Sequence, residues 1–149
     1  MNKPSYQFRV SPNALIYEFD SISDARTIRK LVIYERLDDD LYHFGFGDLT
    51  ESGVIDYQVV SDNNDTNTVL MTVVQTMLLF FERYPGKQLV FTGSTSSRSR
   101  LYRLLISKFL ETIDPLFNVQ GLMATGVQEP FQKNTNYQAF IISQRDEEI

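Results

Sequence analysis

The stretch of residues between Gly93 and Arg100 has the composition of an anion-binding turn. It follows a short apolar segment, residues 88–92, that is typical of a buried strand, and it leads into a helical pattern over residues 97–113. The N–H groups at a helix N-terminus, together with the positive end of the helix dipole, favour an anion there. The sequence therefore predicts an anion- or ligand-binding site made of Gly93, Ser94, Thr95, Ser96, Arg98 and Arg100.

The same residues also fit a purely structural role. One hydroxyl among positions 94–96 can cap the helix, and the two arginines can form salt bridges with the acidic half of the chain. A phosphate-binding loop of the GxxxxGK[ST] type is absent from the sequence. The sequence leaves both interpretations open, the ligand site and the helix cap.

Two further residues suit acid–base chemistry. Tyr102 lies one turn into the predicted helix beside cationic neighbours, whose positive potential stabilises a phenolate, so it is a candidate general acid. Asp48 ends the segment FGFGD, residues 44–48, and is a candidate carboxylate base. The structural alternatives are aromatic packing for Tyr102 and a β-bulge at the two glycines of FGFGD.

Other kinds of site are excluded by residue type. The sequence contains no cysteine and one histidine, His43. This excludes a disulfide scaffold, a zinc–thiolate site, an iron–sulfur cluster, a cysteine nucleophile and a multi-histidine metal site. The run DNNDTN, residues 62–67, lacks the glycine and the glutamate of an EF-hand loop and predicts a cap for the helix that follows. No metal site is predicted, and no cofactor is expected from the residues alone.

Charge is distributed unevenly along the chain. The formal net charge is −5, yet residues 35–65 carry nine acids and one base, while residues 85–110 carry five bases and no acid. The acidic total argues against extended nucleic-acid or membrane binding. The basic segment from Arg98 to Lys108 nevertheless predicts a local patch that can bind a nucleotide or nucleic acid, with tyrosine and phenylalanine side chains for stacking.

Hydrophobic periodicity predicts a single α+β domain over residues 1–149, in which residues 143–149 form a frayed acidic tail. A helical stripe from Val69 to Tyr84 predicts a first helix that stops at Pro85-Gly86, before the second helix over residues 97–113. Helices between strands imply crossovers, so we expect a mixed, largely antiparallel sheet that is parallel near Leu89. The predicted order is ββββ(β)αβαββ, with strands over residues 6–10, 14–19, 27–37, 41–46, 54–60, 88–92, 117–123 and 137–143.

The expected location is the cytoplasm, because the chain lacks the usual membrane and export signals. No apolar run reaches the roughly 18 residues that a membrane span needs, and the first residues lack the apolar stretch of a signal peptide. The expected core of this soluble domain consists of Phe8, Leu31, Ile33, Phe44, Val69, Val73, Met77, Phe81, Leu89, Phe91, Leu101, Leu105, Phe109 and Phe140.

Four segments of the chain resemble a family of small bacterial proteins of about this length whose function is unknown. These segments are FGFGDL (residues 44–49), SDNNDTNTVLMTVV (61–74), GSTSSRSRLYR (93–103) and NYQAF (136–140). The resemblance covers nearly the whole chain, and it implies no activity, cofactor or site residue.

The predicted order of elements is also similar to the core of GNAT-type acyltransferases. That resemblance implies a two-helix fold, acetyl-coenzyme A as cofactor, a pyrophosphate loop over residues 64–68 that includes Asn64, and Tyr102 as the acid that protonates the leaving thiolate. The family's Gln/Arg-x-x-Gly-x-Gly/Ala loop is absent, and Asp62 and Asp65 stand in its place. Their negative charges would repel the phosphates of the cofactor.

Three hypotheses about function follow. The first is a domain that acts through protein contacts, as a homo-oligomer or with a protein partner, since no nucleophile, metal ligands or cofactor loop is recognisable. The second is a divergent GNAT-like acyltransferase that uses Tyr102 as acid and Asp48 or Glu51 as base. The third is nucleotide or nucleic-acid binding through the basic patch at residues 98–108. Whether the chain is an enzyme stays open.

Overall fold

The computed structural model describes residues 5–53, 55–56, 65–92, 106, 117–132, 135 and 137–144. The chain divides into two compact units. Unit 1 comprises Met1–Glu35 with Gly45–Arg83, and unit 2 comprises Arg36–Phe44 with Tyr84–Ile149. The single domain over residues 1–149 stays a prediction.

Strands make up most of the described elements. The one extended helix, α1, spans Thr66–Arg83 and lies in sequence between the fifth and sixth strands. The strands are β1 (Arg9–Val10), β2 (Ile16–Ile22), β3 (Thr27–Arg36), β4 (Leu41–Leu49), β5 (Ile55–Asp56), β6 (Gln88–Thr92), β7 (Phe117–Leu122), β8 (Gln128–Pro130) and β9 (Ala139–Gln144).

The strands pair in the order β1-β2-β3-β4-β6-β9-β7-β8, and β5 pairs with β4 outside this path. β4 and β6 are parallel, with Tyr42 aligned with Leu89, and every other pairing whose register is described is antiparallel. The parallel pair is where it was expected, because a parallel pairing needs a crossover connection, and α1 lies in sequence between β4 and β6.

The predicted α+β arrangement with two helices and a GNAT-like core is wrong. The described residues form one extended helix and a nine-stranded mixed sheet. Periodicity identifies single elements but not which strands become neighbours, so a similar element order did not establish a similar fold. The helix predicted over residues 97–113 lies outside the described residues, apart from Ile106, which is buried.

The core of unit 1 lies between one face of the β2–β3 pair and α1. Tyr17, Phe19, Val32 and Tyr34 are each at most 1 % exposed. The Tyr34 ring stacks on Phe80 of α1 with the ring centroids 4.6 Å apart and meets Tyr17 edge-on at 5.6 Å. Burial along α1 confirms four of the predicted core residues, which are Val69, Val73, Met77 and Phe81.

The face of β3 that lies in the core differs from the prediction. Val32 and Tyr34 are buried, whereas Leu31 and Ile33, which were expected in the core, are only half-buried. β3 has apolar residues on both faces, so its own alternation does not decide which face turns inward. Pairing with β2 decides it, because Val32 is aligned with the fully buried Tyr17.

A tight turn joins β1 to β2. The Ala14 N–H donates to the Ser11 carbonyl and the Ser11 N–H donates to the Ile16 carbonyl, both at 2.9 Å. Pro12 follows Ser11, where its fixed φ suits such a turn. Ala14 has a φ of 59°, in the left-handed region where a residue with a Cβ is strained.

The core of unit 2 is built on β6, which lies between β4 and β9. Phe91 stacks on Phe44 with the ring centroids 4.2 Å apart and the rings 9° from parallel. Phe91 is also aligned with Phe140 of β9, and Leu89 with Ile142. All five side chains are buried, which confirms the predictions for Phe44, Leu89, Phe91 and Phe140.

Gly121 in β7 makes room for a buried tyrosine. A Cβ at this position would lie 2.3 Å from the ring of Tyr137, which is closer than carbon atoms can approach. The Tyr137 hydroxyl donates to Glu129 at 2.7 Å and accepts the N–H of Gln132 at 3.0 Å. The Tyr137 ring therefore packs directly against Gly121 of β7. Its hydroxyl links Glu129 of β8 to Gln132, which follows β8.

Candidate functional site

Most of the residues predicted to bind or catalyse lie outside the described residues. These are Asn64, Gly93, Ser94, Thr95, Ser96, Arg98, Arg100 and Tyr102. The anion site, the general acid and the basic patch at residues 98–108 therefore stay predictions. Among the described residues, no cluster of histidine, aspartate or glutamate side chains could hold a metal ion.

Asp48, the predicted base, forms a buried ion pair with a lysine. Its Oδ1 atom lies 2.6 Å from Nζ of Lys30 in β3, and the side chains are 11 % and 2 % exposed. Lys30 Nζ also lies 5.8 Å from the centroid of the Phe46 ring. Lys30 is thus a charge partner of Asp48 that the sequence did not indicate. The ion pair has little access to solvent.

Lys30 was missed, although a signal for it existed. The alternation of β3 places Lys30 on the same face as Val32 and Tyr34. Once that face is known to lie in the core, Lys30 is expected to be buried. A lysine on a buried face needs an anionic partner. Asp48 is such a partner, at the end of the neighbouring strand β4.

A second polar cluster surrounds the residue before α1. One oxygen of Asp65, Oδ2, accepts the hydroxyls of Tyr6 and Ser21, each at 2.5 Å. The Ile22 N–H donates to the Tyr6 hydroxyl at 3.1 Å, and the Tyr6 N–H donates to Thr72 Oγ1 at 2.8 Å. Burial and the bond to Asp65 raise the pKa of Tyr6. This cluster joins the N-terminal residues to β2 and to α1.

A third buried polar group lies at Tyr34. Its hydroxyl is 2.8 Å from Thr76 Oγ1, which in turn donates to the Val73 carbonyl at 2.7 Å. Burial raises the pKa of Tyr34 well above its ordinary value of 10.0, and the hydrogen bond with Thr76 offsets part of that rise. The hydroxyl is thus held in its neutral form inside the core.

This raised pKa predicts a loss of stability at alkaline pH. The unfolded chain ionises Tyr34 near pH 10.0 but the folded chain does so only at higher pH. The contribution of Tyr34 to folding stability is therefore constant below pH 10.0 and falls as the pH rises above it. We expect Tyr34→Phe to lose about 1 kcal/mol at neutral pH, through the missing hydrogen bond, and to be less sensitive to alkali. Urea unfolding on both sides of pH 10.0 measures this, and an unchanged alkaline slope in the variant contradicts it.

The opposite face of the β2–β3 pair carries exposed and half-buried side chains that we call the outer strip. Residues aligned across antiparallel strands share a face, as do alternate residues along a strand. By the register of β1, β2 and β3, the aligned residues of the strip are Arg9, Ile16, Glu18, Asp20, Ile22, Thr27, Arg29, Leu31 and Ile33.

Apolar and charged groups alternate along the outer strip. Ile16 is 43 % exposed, and Ile22, at 58 %, is the most exposed of the large apolar side chains described. Between them lie Glu18 and Asp20. Glu18 accepts Arg9 at 3.1 Å and Arg29 at 3.0 Å, and Asp20 lies 3.5 Å from Arg29. Exposed ion pairs add little stability. The exposure of Ile16 and Ile22 is therefore not offset by a gain in folding stability from the charges between them.

The chain matches a known protein family. The model described as "Family of unknown function (DUF6934)" matches residues 2–145. No curated protein and no solved structure matches the chain. The resemblance to GNAT acyltransferases is therefore not confirmed. Within the described residues, no helix is both long enough and apolar enough to cross a membrane.

Proposed function

The chain belongs to DUF6934, a family of unknown function, and we propose that it is a cytoplasmic protein-contact domain that assembles with copies of itself through the outer strip. The observation that carries this proposal is the exposure of Ile16 and Ile22 on a strand whose other face is fully buried. About half of each isoleucine is exposed, so burying the remainder in an interface contributes roughly 1 kcal/mol per side chain.

The described acid–base groups support contact rather than catalysis. Lys30 with Asp48, and Asp65 with Tyr6 and Ser21, are bonded to one another inside unit 1. In these positions they fix neighbouring elements relative to each other. The side chains that unit 1 offers to solvent on the outer strip are aliphatic groups and paired charges, which suit a protein surface better than a small polar substrate.

Charge balance favours a second copy as the partner. Each copy carries a net charge of −5, so two copies repel each other in general. The charged residues of the outer strip are two arginines and two acids, which cancel. Arg9 and Arg29 are more than half exposed and can exchange their acids for those of a second copy. Because its charges cancel, the outer strip does not repel a second copy that approaches it.

The double variant Ile16→Thr with Ile22→Thr tests the proposal, since threonine keeps the strand propensity. We expect the wild-type chain to form dimers in sedimentation velocity as its concentration rises, and the variant to dimerise at least about 10-fold more weakly, because roughly 1.4 kcal/mol of lost burial changes Kd tenfold. Leu79→Gln removes an exposed leucine outside the strip and is the control. A wild-type chain that stays monomeric at every concentration, or a variant with the Kd of the control, refutes the proposal.

A further inference from the structure

The first described residues form an arm that is held to unit 1 mainly by side chains. We call residues 5–10 the N-terminal arm. The Tyr6 ring stacks on Phe19 at 5.9 Å and the Phe8 ring meets Tyr17 edge-on at 5.6 Å. Only Arg9 and Val10 add strand pairing, and the arm's described residues are exposed or half-buried. The arm is thus a short segment that packs along β2.

The turn that joins the arm to β2 is strained. Ala14 adopts the left-handed conformation, and it is the one residue other than glycine with a positive φ in the part of the chain that the structure describes. Its strain exists only while the chain folds back at residues 11–14. If the turn opened, Ala14 would return to an extended conformation, and the arm would point away from its own β2.

We infer that the N-terminal arm exchanges between two copies of the chain. Each arm then packs along β2 of the other copy, in the position in which it packs along its own β2 in this structure. The exchanged arm makes the same bonds to Asp65, Thr72 and Ile22. Only bonds within the turn are given up, such as the one from the Ala14 N–H to the Ser11 carbonyl. The strain at Ala14 is released in both copies, which favours the exchanged form at high concentration. This inference rests on the proposed function, because it requires self-assembly, and it adds which residues cross from one copy to the other.

A pair of introduced cysteines tests the exchange, since the chain contains none of its own. Arg9 and Glu18 are aligned across β1 and β2, so Arg9→Cys with Glu18→Cys places one thiol on the arm and one on the body. Asp20→Cys with Arg29→Cys is the matched control. It also removes one acid and one arginine from the outer strip, but β2 and β3 do not exchange.

After mild oxidation of the concentrated protein, denaturing non-reducing electrophoresis distinguishes the two arrangements. We expect covalent dimers from the Arg9/Glu18 variant and covalent monomers from the control. Adding Ala14→Gly, which relieves the strain without opening the turn, should lower the dimer fraction roughly fivefold or more.

Each alternative result is decisive. If the wild type sediments as a dimer while the Arg9/Glu18 variant yields covalent monomers only, the arm does not exchange and the proposed function stands. If both cysteine variants yield dimers equally, the links arise from collision and the exchange is refuted. If the wild type sediments as a monomer throughout, the exchange and the proposed function both fail.

Discussion

Replacing Lys30 with methionine lowers the free energy of unfolding by about 3–5 kcal/mol, because it leaves the Asp48 carboxylate buried without its ammonium partner. The pair is 2.6 Å apart and both side chains are nearly inaccessible. Water therefore cannot replace the lost partner at low cost. Asp48→Asn is expected to act in the same direction, since it leaves the lysine charge buried.

The double variant Lys30→Met with Asp48→Leu separates the energy of the ion pair from the effect that each side chain has on its surroundings. Removing both charges together removes the need to bury either one, so most of the lost stability should return. Urea unfolding of the two single variants and the double variant gives the coupling energy. Additive losses in this cycle would mean that the two residues do not act as a pair, and a single variant within about 0.5 kcal/mol of the wild type would contradict the burial.

Replacing Phe91 with alanine lowers the free energy of unfolding by about 3–5 kcal/mol, as is typical when a buried phenylalanine is truncated. Phe91 is 4 % exposed and stacks face to face on Phe44 at 4.2 Å. It lies on β6, which pairs with strands on both sides, so the surrounding strands cannot easily close the cavity.

Two matched variants check this result in unit 2. Phe91→Leu keeps part of the volume and should cost less than Phe91→Ala. Val127→Ala removes an apolar side chain that is 50 % exposed, and it should stay within about 0.5 kcal/mol of the wild type. Equal losses for Phe91→Ala and Val127→Ala in urea unfolding would show that Phe91 does not carry the core of this unit.

Local patterns predicted the individual elements well. The strand at Gln88–Thr92 has the predicted bounds. α1 ends before Pro85-Gly86, as its helical stripe of apolar residues and the proline predicted. These features depend on neighbouring residues alone. The strand predicted over residues 6–10 shortens to Arg9–Val10 because side chains, and not backbone pairing, hold Tyr6 and Phe8.

Properties that depend on distant residues were harder to predict. Leu31 and Ile33 were placed in the core because β3 is apolar on both faces, and only its pairing with β2 resolves the choice. Asp48 was predicted as a candidate base without a partner, because the ion pair that it forms with Lys30 crosses from one strand to the next. Asp65 was predicted as part of a helix cap, and its carbonyl does accept the Val69 N–H directly before α1. The sequence did not predict that its side chain binds Tyr6 and Ser21, which lie far away in the sequence.

The position of β6 between β4 and β9 has a consequence for how the chain folds during synthesis. β6 pairs with a strand made long before it and with one near the end of the chain. Such non-local pairings are slow to form. The residues of unit 1 have all been synthesised once α1 is complete, whereas the sheet of unit 2 must wait for β9. Until β9 is made, the edge of β6 that pairs with it lacks its partner strand, and unpaired strand edges of this kind are prone to aggregation.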